Sequence, residues 1–450
     1  MSAATSAVRA WGSQTFRSLQ VRNYKLFFIG QMISMTGTLA QVAAQAWLVL
    51  DLGGGASGVG LTVSLQFLPV LLFGLWGGGM ADRTDPLKVL KITNIAAALV
   101  AVAMAVITIT GVVQIWMVLV LALAFGTVFA VDTPARNVFT FELVGREHLT
   151  NAVTLTSLIT HTGRLVGGAF AALIIAVLGI GACFVFNAIS YIAVLTALVM
   201  IRPDHLFRPE GRRPAKPLGL RDSFEHVRSD KRIMTVLLLA AAFGTLAFEF
   251  ETTLPLLAEY AYKGDIGVYG LINTAFGSGA VAGGVITAAR VNAGPRTLLW
   301  ATVAVAVLLL VTSAGPGLAV ETVTIFCLGA TSVMFLAVGN ASLQLLAHPH
   351  LRGRVMALWS VAIIGSKPVG AALLGFVADQ WGPHAPLLLG GVALLVADAL
   401  LWRNLVDWDG PGAATDTNDL ELATVAPPAV DGLWRRLRLR GSTAPSSNLQ

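Results

Sequence analysis

Apolar runs of about 20 residues, the length a helix needs to cross a bilayer, recur from Leu26 almost to Trp402 with only short polar breaks between them. In hydrocarbon every backbone N–H and C=O must be satisfied within the protein, and segments of this length do so as a bundle of spanning helices. A transmembrane barrel would alternate apolar and polar residues in stretches of about ten, and these segments show no such period. Hydrophobic residues make up 56% of the 450 and charged residues only 12%, roughly half the charged share of a soluble domain. An ordinary soluble enzyme is excluded. The basic start of the chain leads through Lys25 into a full-length apolar stretch with no small-residue cleavage site, so that stretch is read as the first span and not as a signal peptide.

The expected spans are 25–50, 57–80, 88–111, 114–136, 150–178 and 181–201, then 233–258, 266–289, 297–315, 319–346, 354–378 and 384–404. They give an all-α polytopic protein of two six-helix halves, 25–201 and 233–405. A cytosolic segment, 1–24, precedes the first half, a linker, 202–232, joins the two, and a tail, 406–450, follows. With the amino terminus in the cytoplasm, the loops on that side hold Arg83, Lys88, Lys91, Arg136, Arg146, Arg290, Arg296, Arg352 and Arg354, and the opposite loops essentially only Lys263. Lys and Arg bias loops toward the cytoplasm, so both termini are expected inside. The formal net charge of +6 is topology information, not a nucleic-acid surface. The linker mixes basic residues with Pro203, Pro209, Pro214 and Pro217, and the tail is rich in Ala, Pro, Thr, Ser and Asp before its basic stretch Trp434 to Arg440. The tail is expected to be mostly disordered, with an attraction to anionic lipid. Cys183 and Cys327 lie in apolar surroundings and read as small hydrophobes, neither a disulfide framework nor a metal site.

An ionisable group in hydrocarbon costs on the order of 3 kcal/mol, so each one must face a cavity, find a partner or titrate. Glu249 and Glu251 fall in the seventh span just before Pro255. Two apart on a helix, they point about 200° from one another, so only one faces a central cavity; either is a proton-coupling candidate, and the alternative is solvation at the outer interface. His161 and Arg164, three apart in the fifth span, share a face. His161 is a further proton-coupling candidate, and Arg164 either pairs with a carboxylate or binds an anionic cargo. Lys367 stands beside Pro368 near the middle of the eleventh span as a gating or substrate-anion contact. Gln31, Gln45, Gln66, Asn273, Asn340 and Gln344 occupy spans where apolar residues would cost less, and are the remaining substrate-cavity candidates. Phe67, Trp47, Tyr191, Phe276, Phe335 and Trp359 lie near them in sequence, which suits a largely apolar cavity for amphiphilic organic compounds, with most of these aromatics expected to face lipid or neighbouring helices. Asp398, near the inner end of the last span, is read as solvated.

The loop after the second span reads Gly78-Gly79-Met80-Ala81-Asp82-Arg83-Thr84-Asp85-Pro86-Leu87-Lys88 and resembles the cytoplasmic loop signature of the major facilitator superfamily. Asp82 and Arg83 match; Asp85 and Pro86 stand where that signature has a second Gly and an Arg. Asp132-Thr133-Pro134-Ala135-Arg136, Asn151-Ala152-Val153, Gly163-Arg164, Asn340 to Gln344 and Leu351-Arg352-Gly353-Arg354-Val355-Met356 narrow the resemblance to the branch of enterobactin-type and multidrug exporters. The fifth span has Gly167-Gly168 where antiporters of that superfamily carry Gly-Pro. The resemblance implies alternating access around a midplane site and an inner gate of charges built from Asp82, Arg83, Asp132, Arg136 and Arg354. It also assigns close helix approach to Gly74, Gly78, Gly163, Gly167, Gly279 and Gly283.

No Gly-x-x-x-x-Gly-Lys-Ser/Thr loop occurs, so ATP is not the evident energy source. No nucleophile, base and orienter form a set, so catalysis, a cofactor and a metal are not expected. The sequence reads as a proton-coupled exporter of small amphiphilic compounds, such as a drug, siderophore or secondary metabolite. It is expected to work as a monomer in the bacterial inner membrane, with lipid, cargo and protons as its partners and no nucleic acid. The alternatives are a carrier of another solute, by import or lipid flipping, and a non-transporting membrane sensor or scaffold.

Overall fold

In a computed structural model the described residues are 17–81, 84–207, 230–264, 266–290, 294–347 and 351–406. Side chains are described throughout these ranges except at 74–81, 146, 150, 154, 157, 158, 160, 161, 164, 165, 288–290, 405 and 406. Residues Ser18–Val406 form one compact unit, built entirely of helices among the described residues. The first half comprises α1 (Arg22–Asp51), α2 (Gly55–Ala81), α3 (Pro86–Ile109), α4 (Ile115–Gly145), α5 (146–178) and α6 (Ile180–Met200). The second comprises α7 (Lys231–Ala261), α8 (Ile266–Arg290), α9 (Pro295–Ser313), α10 (Leu318–Leu346), α11 (Arg352–Trp381) and α12 (Ala385–Val406). Eleven of these are long and apolar enough to span a bilayer by themselves, and the apolar part described for α5 is the shorter Val166–Leu178.

Local chemistry sets several boundaries. Asp85 N-caps α3, accepting from the N–H of Leu87 at 3.0 Å, with Pro86 at the first helical position, where a missing N–H costs nothing. Asp230 caps α7 in the same way through the N–H of Arg232 at 2.9 Å. The helical run Ile115–Leu178 would be about 96 Å long if unbroken, three bilayers' worth. It breaks at Gly145, whose φ of 67° and ψ of −173° lie outside the helical region. A Cβ there would sit 3.2 Å from the ring of Phe207, at the start of the linker, so glycine serves both the turn and the close approach. The linker beyond, 208–229, and the tail from 407 lie outside the described residues.

Large apolar side chains are found on both sides of the helices. Tyr24, Phe27, Leu90, Phe139, Leu143 and Leu198 pack as a core in the first half, with Phe27 and Phe139 meeting edge to face. Leu99, Ile109, Trp300 and Leu400 stand fully outward, Leu400 at 77% exposure. A belt of this kind is an aggregation hazard in water and the expected surface in lipid.

α7 and α11 are the irregular helices. α7 contains π turns at Phe243–Ala247 and Leu257–Ala261, and leaves the helix altogether at Phe248 and Glu249. α11 contains a π turn at Val361–Gly365, immediately before Lys367 and Pro368. The two irregular stretches face each other: a Cβ at Gly244 would come within 2.6 Å of the carbonyl oxygen of Ala362 and 2.8 Å of Ile363 Cα. Broken spanning helices survive only where neighbouring protein or a cavity satisfies the freed backbone groups, and they mark binding sites in carriers.

Candidate functional site

A cavity of about 340 Å³ opens between the halves. Among the described residues α1, α2, α3, α4 and α6 line it from one half and α7, α8, α10 and α11 from the other. Its wall is mainly apolar and aromatic, with Phe67, Phe125, Phe129, Phe248 and Phe276, and carries Gln31, Gln66, Asn94 and Tyr191 as neutral polar groups. Among the described residues two ion pairs complete it, one from each half.

In the first half, Asp132 of α4 is 5% exposed and saturated with donors. Its Oδ1 accepts from Thr93 Oγ1 at 2.7 Å and Asn94 Nδ2 at 3.2 Å, both on α3. Its Oδ2 accepts from Arg136 Nε at 3.0 Å and from Arg136 Nη2. Four donor atoms fix the carboxylate in place. Arg136, one turn on along α4, keeps the rest of its guanidinium at the cavity wall.

In the second half, Lys367 Nζ lies 3.3 Å from Glu251 Oε2, with side chains 4% and 16% exposed. The ammonium also stands over the ring of Phe67, 4.7 Å from its centroid, and 5.7 Å from that of Phe248. Both are within the roughly 6 Å over which a ring face attracts a cation. α7, α11 and α2 thus meet at one charge. Glu251 lies two residues past the break in α7 and lines the cavity, whereas Glu249, at the break itself, is 2% exposed and does not. Its carbonyl accepts from the N–H groups of Thr252 and Thr253.

One end of the cavity is closed. α1 starts at the terminal end of the bundle, so residues 56–64 of α2, 168–172 of α5, 269–273 of α8 and 368–379 of α11 belong to the opposite end. There the halves touch. Asp379 accepts from the N–H groups of Ala56 and Ser57, both at 2.8 Å, and so caps the start of α2 from α11. Ser64 Oγ donates to the carbonyl of Pro368 at 2.7 Å. Gly60 meets Gly375 backbone to backbone, Gly168 lies against the amide of Asn273, and Gly270 against Ala172. Trp47 of α1 packs on Tyr269 with centroids 6.3 Å apart.

Of the substrate-cavity candidates, Gln31, Gln66 and Lys367 line the cavity, and the side chain of Arg164 lies outside the described residues. The others stand elsewhere. Gln45 is buried on α1 four turns beyond Gln31, about 21 Å along the axis and toward the closed end. Asn273 is part of the contact with α5. Asn340 accepts from exposed Gln344 at 2.5 Å in the last turns of α10, at the terminal end. Of the charges expected at an inner gate, Asp132 and Arg136 face the cavity and Arg354 is half-buried in the first turn of α11. Asp82 and Arg83 lie outside the described residues, as does the side chain of His161. Phe67, Tyr191 and Phe276 line the cavity, while Phe335 and Trp359 pack on one another in the second half. Asp398, read as solvated, is instead 4% exposed and accepts from Thr302 Oγ1 at 2.7 Å. The glycines Gly163 and Gly167 pack on α1, and Gly279 and Gly283 on the backbone of α10.

Thr93 and Asn94 were not singled out from sequence; Asn94, an amide in an apolar run, carried the same signal as Gln31. Glu321 was missed too. It is fully buried at the closed end, accepts from the phenol of Tyr262 and lies 3.5 Å from His384 Nε2. Burial, followed by the hydrogen bond to Glu321, raises the Tyr262 phenol and keeps it protonated.

A family described as transmembrane secretion effector, within the major facilitator superfamily, matches residues 13–423. The chain belongs to that family. It is similar to the Staphyloferrin A transporter of Staphylococcus aureus (strain NCTC 8325 / PS 47), at 29% identity over 264 residues. That match covers 57% of this chain and 64% of the relative, less than two thirds of its length. Similarity to Macrolide efflux protein A of Streptococcus pyogenes, 24% identical over 385 residues, extends over 83% of this chain and 94% of that protein. The crystal structure of the nucleoside transporter NupG superposes with a TM-score of 0.69 at 13% identity, covering 85% of this chain and 99% of that one. At that identity the likeness shows the fold, two six-helix halves around a central cavity. The chain is therefore a multi-pass membrane protein of a transporter family. The resemblance carried by its Gly78 to Lys88 and Leu351 to Met356 stretches holds.

Proposed function

We propose that the protein exports small amphiphilic compounds across the bacterial cell membrane in exchange for protons, by alternating access to the cavity between its halves. The observation that carries this reading is the pair of ion pairs, Asp132–Arg136 and Glu251–Lys367, set in a mainly apolar and aromatic wall. A charge in such a wall costs several kcal/mol unless compensated. Asp132, with four donors, is the fixed member. Glu251, paired with a lysine beside a broken helix, is the exchangeable member, and this ion pair is the site of coupling.

Both termini are assigned to the cytoplasm on the Lys and Arg bias of the loops. The closed end, α2 on α11 and α5 on α8, then faces outward, and the state described is the one that receives cargo from the cytosol. The relatives lend support, one being a macrolide efflux protein. The protein works as a monomer, since each chain holds a whole cavity.

The test is proton flux in liposomes holding the purified protein, read on addition of amphiphilic drugs and siderophores, with Glu251→Gln and Glu249→Gln in parallel. Cargo-dependent flux that Glu251→Gln abolishes and Glu249→Gln retains is expected. Transport without proton movement would sink the exchange, and transport of nothing at all would leave the scaffold reading standing instead.

A further inference from the structure

Lys367 is a deeply buried cation of the cavity wall. Its side chain is 4% exposed, yet its ammonium makes no hydrogen bond among the described residues. What surrounds the charge is a carboxylate oxygen at 3.3 Å and two phenyl faces at 4.7 and 5.7 Å. This is the make-up of a site for an organic cation: one negative charge, aromatic faces, and no directed acceptors to demand N–H groups. We propose that Lys367 is a tethered occupant of a cation seat, that the cargo is an amphiphile bearing a tertiary or quaternary ammonium, and that the proton exchanged for it is the one on Lys367.

The inference rests on the proton-exchange reading above and completes it. When cargo enters, its ammonium pairs with Glu251 between Phe67 and Phe248. The Lys367–Glu251 pair breaks, and Lys367 Nζ gives one proton to cavity water and remains as a neutral amine. Among the described residues one cation is exchanged for another beside Glu251, so this exchange leaves the buried charge of the site unchanged. On the other side a proton returns to Lys367, which reclaims Glu251 and expels the cargo. Proton and cargo exclude one another, as exchange requires. An anionic cargo would instead need Glu251 protonated while it held Lys367, so that cargo and proton travelled together.

Among the described residues, the neighbouring elements leave Glu251 as the counter-charge. α2 carries no ionisable residue between Gly55 and Ala81. On α7, Glu249 is off the cavity wall. On α12, Asp398 is engaged with Thr302. Across the cavity, Asp132 is bound to Arg136, Thr93 and Asn94, and Tyr191 shares a hydrogen bond with Thr38 at 3.2 Å.

The test titrates the full-length protein in detergent with benzyldimethyloctylammonium, a permanent cation without N–H, and with octanesulfonate as an anion bearing the same alkyl chain. Calorimetry in two buffers of different ionisation enthalpy counts protons released. Wild type is expected to release one proton per ammonium bound and to bind about tenfold more tightly per unit rise in pH. Lys367→Met, equally long and uncharged, is expected to bind the ammonium with no release and no pH slope. Lys367→Arg, which keeps its charge, binds weakly, and Glu251→Gln does not bind. Ammonium binding without proton release, preference for octanesulfonate, or loss of binding in a monodisperse Lys367→Met would each overturn the proposal. Should Lys367→Met not fold, the wild-type proton count and Lys367→Arg decide. If a pH gradient drives other amphiphiles through liposomes while the ammonium fails these tests, this inference falls alone. If the gradient moves none of them, the proposed function falls.

Discussion

Gly60 tests whether the closed end is a gate. A Cβ at this position would lie 2.3 Å from the carbonyl oxygen of Ala371 and 3.0 Å from Gly375 Cα. Both are backbone atoms, so no side chain can turn away, and the overlap is roughly 1 Å against van der Waals contact. Gly60→Ala must push α2 from α11, and overpacking of this kind costs about 1–3 kcal/mol. Only the state in which these helices touch bears the cost. The balance between the two states then shifts by roughly 5- to 150-fold toward the one open at this end. The reporter is Ser64→Cys, which lies in the same contact, where Ser64 Oγ bonds Pro368. The native thiols, Cys183 buried and Cys327 half-buried, are replaced by alanine. Labelling by a membrane-impermeant maleimide from the outer side should quicken several-fold when Gly60→Ala is added. Equal or slower labelling would refute the claim that this contact separates two states of the carrier.

Four further outcomes follow from the geometry. Asp132→Asn leaves Arg136 without its counter-charge, and with the guanidinium partly solvated the loss is about 2 kcal/mol, read as a lower unfolding temperature in detergent. Glu251→Gln should abolish pH-driven transport while the protein stays folded, read by liposome flux and by size-exclusion profile. Asp230→Ala removes the α7 cap and costs about 1 kcal/mol. Burial raises the Asp230 carboxyl and the bonds from Arg232 more than offset it, so it lies below its ordinary 3.8. The cap's contribution is thus present above pH about 4 and fades only as pH falls below that, which denaturation at pH 7 and pH 3 would show. Deleting residues 411–450 should leave transport intact, whereas a docking scaffold would lose its function.

The architecture was readable because hydrophobic run length is a one-dimensional signal, and a span announces itself whatever it packs against. Part of the site was readable for a related reason. A charge in hydrocarbon needs an explanation, which singled out Glu249, Glu251 and Lys367 before any contact was known, and helical geometry required the two glutamates to part. Pairing could not be read. Nothing in the sequence says that Lys367 meets Glu251, more than a hundred residues away, or that both approach Phe67. Depth along a helix was also illegible without knowing where the cavity stops. Gln31 and Gln45 look alike in sequence, and only one lines the wall. The break at Phe248 and Glu249 lies before Pro255 and follows Gly244, which packs against the backbone of α11, a contact that no local propensity reports.

The most direct test of the account is retention of amphiphilic dyes and drugs in cells expressing the protein, measured with and without a protonophore. The account predicts several-fold lower retention than in control cells, abolished by the protonophore and by Glu251→Gln. Retention equal to that of control cells for every compound, or lowered retention that survives the protonophore, would contradict it.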